Sequence, residues 1–182
     1  MKKAVVFFAD GVEECEGLLV VDILRRAGVD VTMASVMDRL SIISSRHIII
    51  QTDELDGNID FSDVDLIVLP GGRLGTENLA KSGIVAEQCS RFAEDKMLAA
   101  VCAAPSLLAS LGLLEGKRAT CHPDYESKMC GAIVTGESVT VDGNIITGQG
   151  LGATIPFALR LADTLVGRDK AELIATAICY RV

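Results

Sequence analysis

Four short, mainly apolar runs recur along the chain, at Ala4 to Ala9, Asp30 to Val36, Leu66 to Leu69 and Leu98 to Val101. A strand with one wet face alternates apolar and polar residues. A continuous apolar run is what a strand covered on both faces requires, and that points to a parallel sheet. Between the runs, Glu13 to Ala27, Asn78 to Glu94, Pro105 to Leu114 and Ala153 to Leu165 place apolar residues at helical spacing. Strand and helix in turn predict a layered α/β fold, helices on both sides of one sheet. At 182 residues there is room for one domain, 1–182, with a sizeable core, and too little for two.

Around this framework, the isoleucine-rich stretch Ser41 to Gln51 and the stretch Ser138 to Ile146, which holds the turn signal Asp142-Gly143, predict peripheral antiparallel strands. Gly167 as a stop and Asp169 as a start predict a last helix over Lys170 to Ile178. With 49% hydrophobic residues, extensive disorder is not expected. The formal net charge of −8 repels phosphate backbones and anionic lipid heads. Neither nucleic acid nor a membrane surface is an expected partner; small molecules and other proteins remain. Asp10 interrupts the N-terminal apolar run too early for a signal peptide, and Pro105, Ser106 and Ser110 break the longest apolar stretch, so neither export nor a membrane span is expected. Six cysteines without a C-x-x-C pair fit a reduced, cytoplasmic compartment. Most of them read as small buried hydrophobes.

Cys102 is different. Leu98-Ala99-Ala100-Val101-Cys102-Ala103-Ala104-Pro105 puts it where a buried strand ends and a helix begins, with Pro105 suited to a first helical turn. A nucleophile on such an elbow needs small residues two positions to either side, and Ala100 and Ala104 supply them. A reactive thiol is the leading reading and a structural cysteine the alternative. A second strand ends in Pro70-Gly71-Gly72, whose bare backbone N–H groups suit an oxyanion hole as well as a plain tight turn.

In the first predicted helix, Val12, Glu16, Leu19, Val20, Ile23 and Ala27 share a stripe, so Glu16 is expected to face inward. Asp10-Gly11-Val12-Glu13 is spaced as a capping box, and a solvated or capping role is expected for Glu14. Desolvation raises a carboxyl's pKa and keeps it protonated. Bringing a thiol from about 8.5 to about 5.5 takes about 4 kcal/mol, whereas a helix terminus supplies roughly 0.3 to 2 kcal/mol. A protonated Glu16 donating to the Cys102 thiolate would make up the difference; a structural partnership with backbone is the other reading. His122, after another short strand, reads equally as an ordinary hydrogen-bonded residue or as a base near the cysteine. Cys121 and His122 have no second cluster at ligand spacing, so no metal is expected. The glycines of Gly148-Gln149-Gly150-Leu151-Gly152 miss the dinucleotide fingerprint and read as close packing at a helix start.

Taken together, Gly11-Val12-Glu13-Glu14-Cys15-Glu16, Val21 to Gly28, Ser45-Arg46, Leu69 to Gly75, Cys102-Ala103-Ala104-Pro105, His122-Pro123 and Gly148 to Gly152 resemble the DJ-one/PfpI family, within the wider class I glutamine amidotransferase-like group. The resemblance implies a flavodoxin-like three-layer α/β/α sandwich with a mostly parallel central sheet, a homodimer, and an oxidation-sensitive nucleophile at Cys102 hydrogen-bonded by Glu16. It implies backbone N–H groups from Gly72 and Ala103 at the thiol, His122 close by, and Arg26 and Arg46 as anion-binding positions. The activity it implies needs no cofactor: glyoxalase III-type conversion of methylglyoxal to lactate, or deglycation of early dicarbonyl adducts on protein thiols and amines. The alternative is an oxidative-stress sensor or redox-regulated chaperone working through Cys102 sulfinate. PfpI-type proteases carry histidine directly after the nucleophile; Ala103 stands there, so protease activity is not expected.

Overall fold

A computed structural model describes residues 1–181. Its main sheet has seven strands: β1 (Lys3–Phe8), β2 (Asp30–Ser35), β5 (Glu54–Leu55), β6 (Leu66–Leu69), β7 (Met97–Val101), β10 (Val139–Asp142) and β11 (Ile145–Gly148). Across the sheet they run β10-β11-β7-β6-β1-β2-β5, all pairs parallel except β10 with β11. Two small sheets lie outside it, β3 (Ser41–Ile43) antiparallel to β4 (Ile49–Gln51), and β8 (Arg118–Ala119) parallel to β9 (Ile133–Val134). The helices are α1 (Glu14–Arg26), α2 (Arg73–Leu79), α3 (Gly83–Asp95), α4 (Pro105–Ser110), α5 (Thr154–Val166) and α6 (Arg168–Ala177).

The central strands have two buried faces because alternate residues serve two cores. Val6 and Phe8 of β1, Leu66 and Val68 of β6, and Ala99 and Val101 of β7 join Val20, Leu24, Phe157 and Leu161 of α1 and α5. Val5 and Phe7, Ile67 and Leu69, and Leu98 and Ala100 join Val85, Phe92, Leu107 and Leu108 of α3 and α4 on the other side. This is the expected three-layer sandwich. Each fully buried Phe or Leu contributes roughly 1.5–3 kcal/mol. From β1 the chain moves outward to β2 and then returns to the opposite side as β6, so the sheet order reverses beside β1. Open α/β sheets bind ligands at the carboxyl ends of strands around such a reversal.

Several local expectations need correction. The helix predicted over Asn78 to Glu94 is two, because Ser82 caps α3 by accepting from the Val85 N–H at 3.3 Å and separates it from α2, which already starts at Arg73. The helix from Pro105 stops at Ser110, short of Leu114, and the chain then turns at Gly112 with φ +75°. The Asp142-Gly143 hairpin forms, yet only β10 is peripheral. All four residues of β11 are buried, and it pairs with β7 inside the sheet. Helix α6 begins at Arg168, with Asp169 in its first turn instead of at its cap. The capping box is absent: Glu13 is the N-cap residue, without a side-chain cap bond, and the Asp10 carboxylate binds Arg39 at 2.6 Å and the Ile43 N–H at 2.9 Å.

Candidate active site

Cys102 follows β7 in the left-handed region, at φ +65°, and opens into α4 through Ala103, Ala104 and Pro105. A non-glycine residue there costs on the order of 1–3 kcal/mol, so its surroundings must hold it. They do: the Cys102 N–H donates to Gly148 O at 3.0 Å, and its carbonyl accepts from the His122 N–H at 2.9 Å. Ala100 and Ala104 are fully buried, as the crowding of such an elbow requires. The thiol is half-buried.

Glu16, on the first turn of α1, faces inward as its stripe demands and is fully buried. Its Oε2 accepts from the Gly71 N–H at 2.9 Å, while Oε1 has no aligned donor. With one oxygen committed as an acceptor, the other is the place for a proton. Burial pushes this carboxyl up to about 7, opposed by its hydrogen bonds with Cys102 and Gly71 and reinforced by Glu13. The Cys102 thiol is pushed up to about 12, first by burial and then by a charged Glu16, while the Gly72 and Ala103 N–H groups pull it down. The elbow alone therefore does not make a thiolate. What changes the balance is the proton on Glu16: it removes the neighbouring charge and turns the carboxyl into a donor toward sulfur. The two groups titrate as one unit.

Gly72 takes φ +86°, and a Cβ there would run into Gly11 O and stand 2.6 Å from the Glu13 N. This bare, left-handed residue lets the β6 loop lie flat against the start of α1 and bring its N–H to the thiol. His122 lies close by: a Cβ built on Gly150 would stand 3.6 Å from His122 Cδ2 and 3.8 Å from Cys102 Sγ. Its Nδ1 accepts from the Asp124 N–H at 3.3 Å, with the Asp124 carboxylate 3.7 Å away.

Cys102, Glu16, Gly72, Ala103 and His122 thus converge. Arg46 stands on the turn between β3 and β4, lining with Gly72 a cavity of about 520 Å³. Arg26 does not join them. It ends α1 ten residues beyond Glu16, about 15 Å along the helix at ~1.5 Å per residue, and its guanidinium pairs with Asp22 at 2.7 Å. Glu14 is buried, contrary to expectation: Ser45 Oγ donates to it at 3.2 Å and to Glu13 at 2.8 Å. Burial opposes its charge, yet bonds from its own N–H, the Ser44 and Ser45 hydroxyls and the Arg46 N–H hold its pKa below the usual value. Of the other cysteines only Cys89 and Cys121 are buried; Cys15, Cys130 and Cys179 are exposed. The expectation of small buried hydrophobes thus fails for three of them. Gly148 does pack closely, against Val101 and Phe157, but Gly150 borders the thiol, a role its helix-start context did not signal. Among the described residues no group of three or more His, Cys, Asp or Glu side chains is arranged to hold a metal, and no helix is long and apolar enough to cross a membrane.

The DJ-1 homolog B of Arabidopsis thaliana is 37% identical over 99% of this chain, which spans 42% of that relative's length. Isonitrile hydratase of Pseudomonas putida, an enzyme, is 38% identical over 64% of this chain and 52% of its own. The structure of oxidized Toxoplasma gondii DJ-1 superposes with a TM-score of 0.96 at 31% identity, covering 100% of both chains. The DJ-1/PfpI family model matches residues 2–164, and the chain belongs to that family.

Proposed function

We propose that the protein is a cofactor-independent cysteine enzyme acting on reactive dicarbonyls, converting methylglyoxal to lactate or clearing the early adducts that dicarbonyls form on protein thiols and amines. One observation carries this reading: a half-buried thiol on a strained elbow, paired with a fully buried carboxyl and flanked by two backbone N–H groups. Sulfur adds to the aldehyde carbon, and the carbonyl electron pair moves to oxygen, which takes the proton held by Glu16. The Gly72 and Ala103 N–H groups stabilise the charge as it develops. Glu16, now a carboxylate, removes the proton from the carbon that bore the aldehyde and returns it to the neighbouring carbon, while the hydroxyl proton passes from the first oxygen to the second carbonyl oxygen, leaving a lactoyl thioester. Water then releases lactate and restores the thiol, with no net oxidation or reduction. Cys102→Ser protein should lose at least 100-fold in methylglyoxal consumption, on the scale of removing a nucleophile, with lactate measured directly. Consumption at the parent rate would refute the reading. We further propose a homodimer, to be checked by light scattering against the 19.2 kDa chain.

A second reading, oxidative sensing, is favoured by the same N–H groups, which suit the oxygens of a Cys102 sulfinate, and by the oxidized state of the Toxoplasma relative. Selective addition of two oxygens at Cys102 under mild peroxide supports it; scattered oxidation at Cys15, Cys130 and Cys179 argues against it.

A further inference from the structure

Gly150 is a glycine that the fold itself does not require. Its backbone is extended, at φ 164° and ψ −165°. A Cβ built on it would stand 3.6 Å from His122 Cδ2, 3.8 Å from Cys102 Sγ and 4.0 Å from Cys102 Cβ, all ordinary contact distances. Gly71 and Gly72 differ, since a Cβ on either would collide with its neighbours. What the missing Cβ leaves at position 150 is space that touches the sulfur and the imidazole at once. Gly150 and His122 also line a cavity of about 360 Å³, continued by Pro123, Ser138, Gln149 and Leu151. Small-molecule sites run from about 300 Å³ upward. Among the described residues no Asp, Glu, Lys or Arg lines this cavity, and Leu151 presents to it an aliphatic residue that is 52% exposed. The walls are braced by the chain: the Gln149 N–H donates to Ser138 O at 2.9 Å and the Ala153 N–H to Gly150 O at 2.8 Å. The Gln149 side-chain amide donates to Gly136 O at 3.2 Å, which leaves its oxygen as an acceptor.

We infer that Gly150 and Leu151 are specificity-determining residues. The gap at Gly150 admits the substituent of a carbonyl compound bound at Cys102, and the cavity beyond holds that substituent as an uncharged, largely apolar tail. The substrate class is an aldehyde or ketone that carries such a tail, several atoms long, beside the reactive carbonyl. The inference rests on the proposed nucleophilic role of Cys102. A charged tail would lose hydration here without gaining an acid or a lysine or arginine as partner. An apolar one gains up to about fourfold in affinity for each methylene fully removed from water.

Two uncharged alkylating reagents of the same chemistry, iodoacetamide and N-hexyl iodoacetamide, test this without any turnover. Their rates are read by peptide mass spectrometry at Cys102 and, as internal references, at exposed Cys130 and Cys179. Taking the hexyl-to-plain ratio at each cysteine cancels differences in intrinsic thiol reactivity. That ratio is expected to be about threefold or more higher at Cys102 than at the references, whereas a half-buried thiol without a tail site disfavours the bulkier reagent. It should fall about threefold in Gly150→Ala, whose methyl fills the gap, and by a similar factor in Leu151→Ser, which removes the apolar wall. A ratio at Cys102 no higher than at the references, or one that either substitution leaves unchanged, overturns the inference while leaving the nucleophile intact. A Cys102 silent to both reagents overturns the nucleophile and the inference together.

Discussion

Cys102 and Glu16 titrate as a coupled pair, and their chemistry follows from which of them holds the proton. Burial raises the pKa of both groups, so at low pH the pair carries two protons, and the first leaves near the Glu16 value of about 7. Alkylation of Cys102 by iodoacetamide should therefore rise with pH through a midpoint near 7. In Glu16→Leu the donor is lost along with the charge, and sulfur must ionise in a half-buried site without it. We expect that variant's alkylation rate at pH 7 to fall by roughly tenfold or more, the equivalent of about one pKa unit or above. An increase would mean that repulsion from a charged Glu16 dominates, and that the carboxyl suppresses the nucleophile.

The loop after β6 illustrates how an element, and not a side chain, sets the geometry. Gly71 sits so close to the pair that a Cβ on it would lie 2.6 Å from both Cys102 Cβ and Glu16 Oε2. Its N–H is also the donor that positions the carboxyl. Gly71→Ala must wedge strand end, helix and elbow apart, at a cost of roughly 1–3 kcal/mol, and it should reduce Cys102 alkylation at pH 7 while leaving the β-sheet signature of the far-ultraviolet spectrum. Urea melts paired with alkylation rates would separate the two effects. An alanine variant with parental stability and reactivity would show that the contact relaxes freely.

At the scale of the whole molecule, a carboxyl kept protonated by burial makes stability depend on pH. The pKa of Glu16 is 4.5 when unperturbed and about 7 in the fold, so between those values the folded state binds more protons than the unfolded. Stability then falls as pH rises through this window, and the term is absent below about 4.5. For a fully buried group the shift corresponds to about 3 kcal/mol. Relative to the parent, Glu16→Gln protein should therefore gain stability progressively from pH 4.5 to 7, with little difference in pH dependence below that range. Urea denaturation at a series of pH values measures this, and parallel curves would mean that Glu16 ionises as freely in the fold as out of it.

Read without its fold, the chain already determines a good deal. The apolar runs pointed to a sheet buried on both faces, since short runs such as Ala4 to Ala9 and Leu66 to Leu69, alternating with helical stripes, need cover on either side of a strand. The helical stripe forced Glu16 inward, and the small residues around Cys102 announced the elbow, because both are local consequences of backbone periodicity and crowding. Only the tertiary structure decided the rest. It left Arg26 at the far end of α1, buried Glu14 under the Ser44–Ser45 turn, drew β11 into the sheet, and set Gly150 and His122 beside the thiol. These outcomes depend on which segments meet across tens of residues of chain, and local pattern carries no record of such meetings.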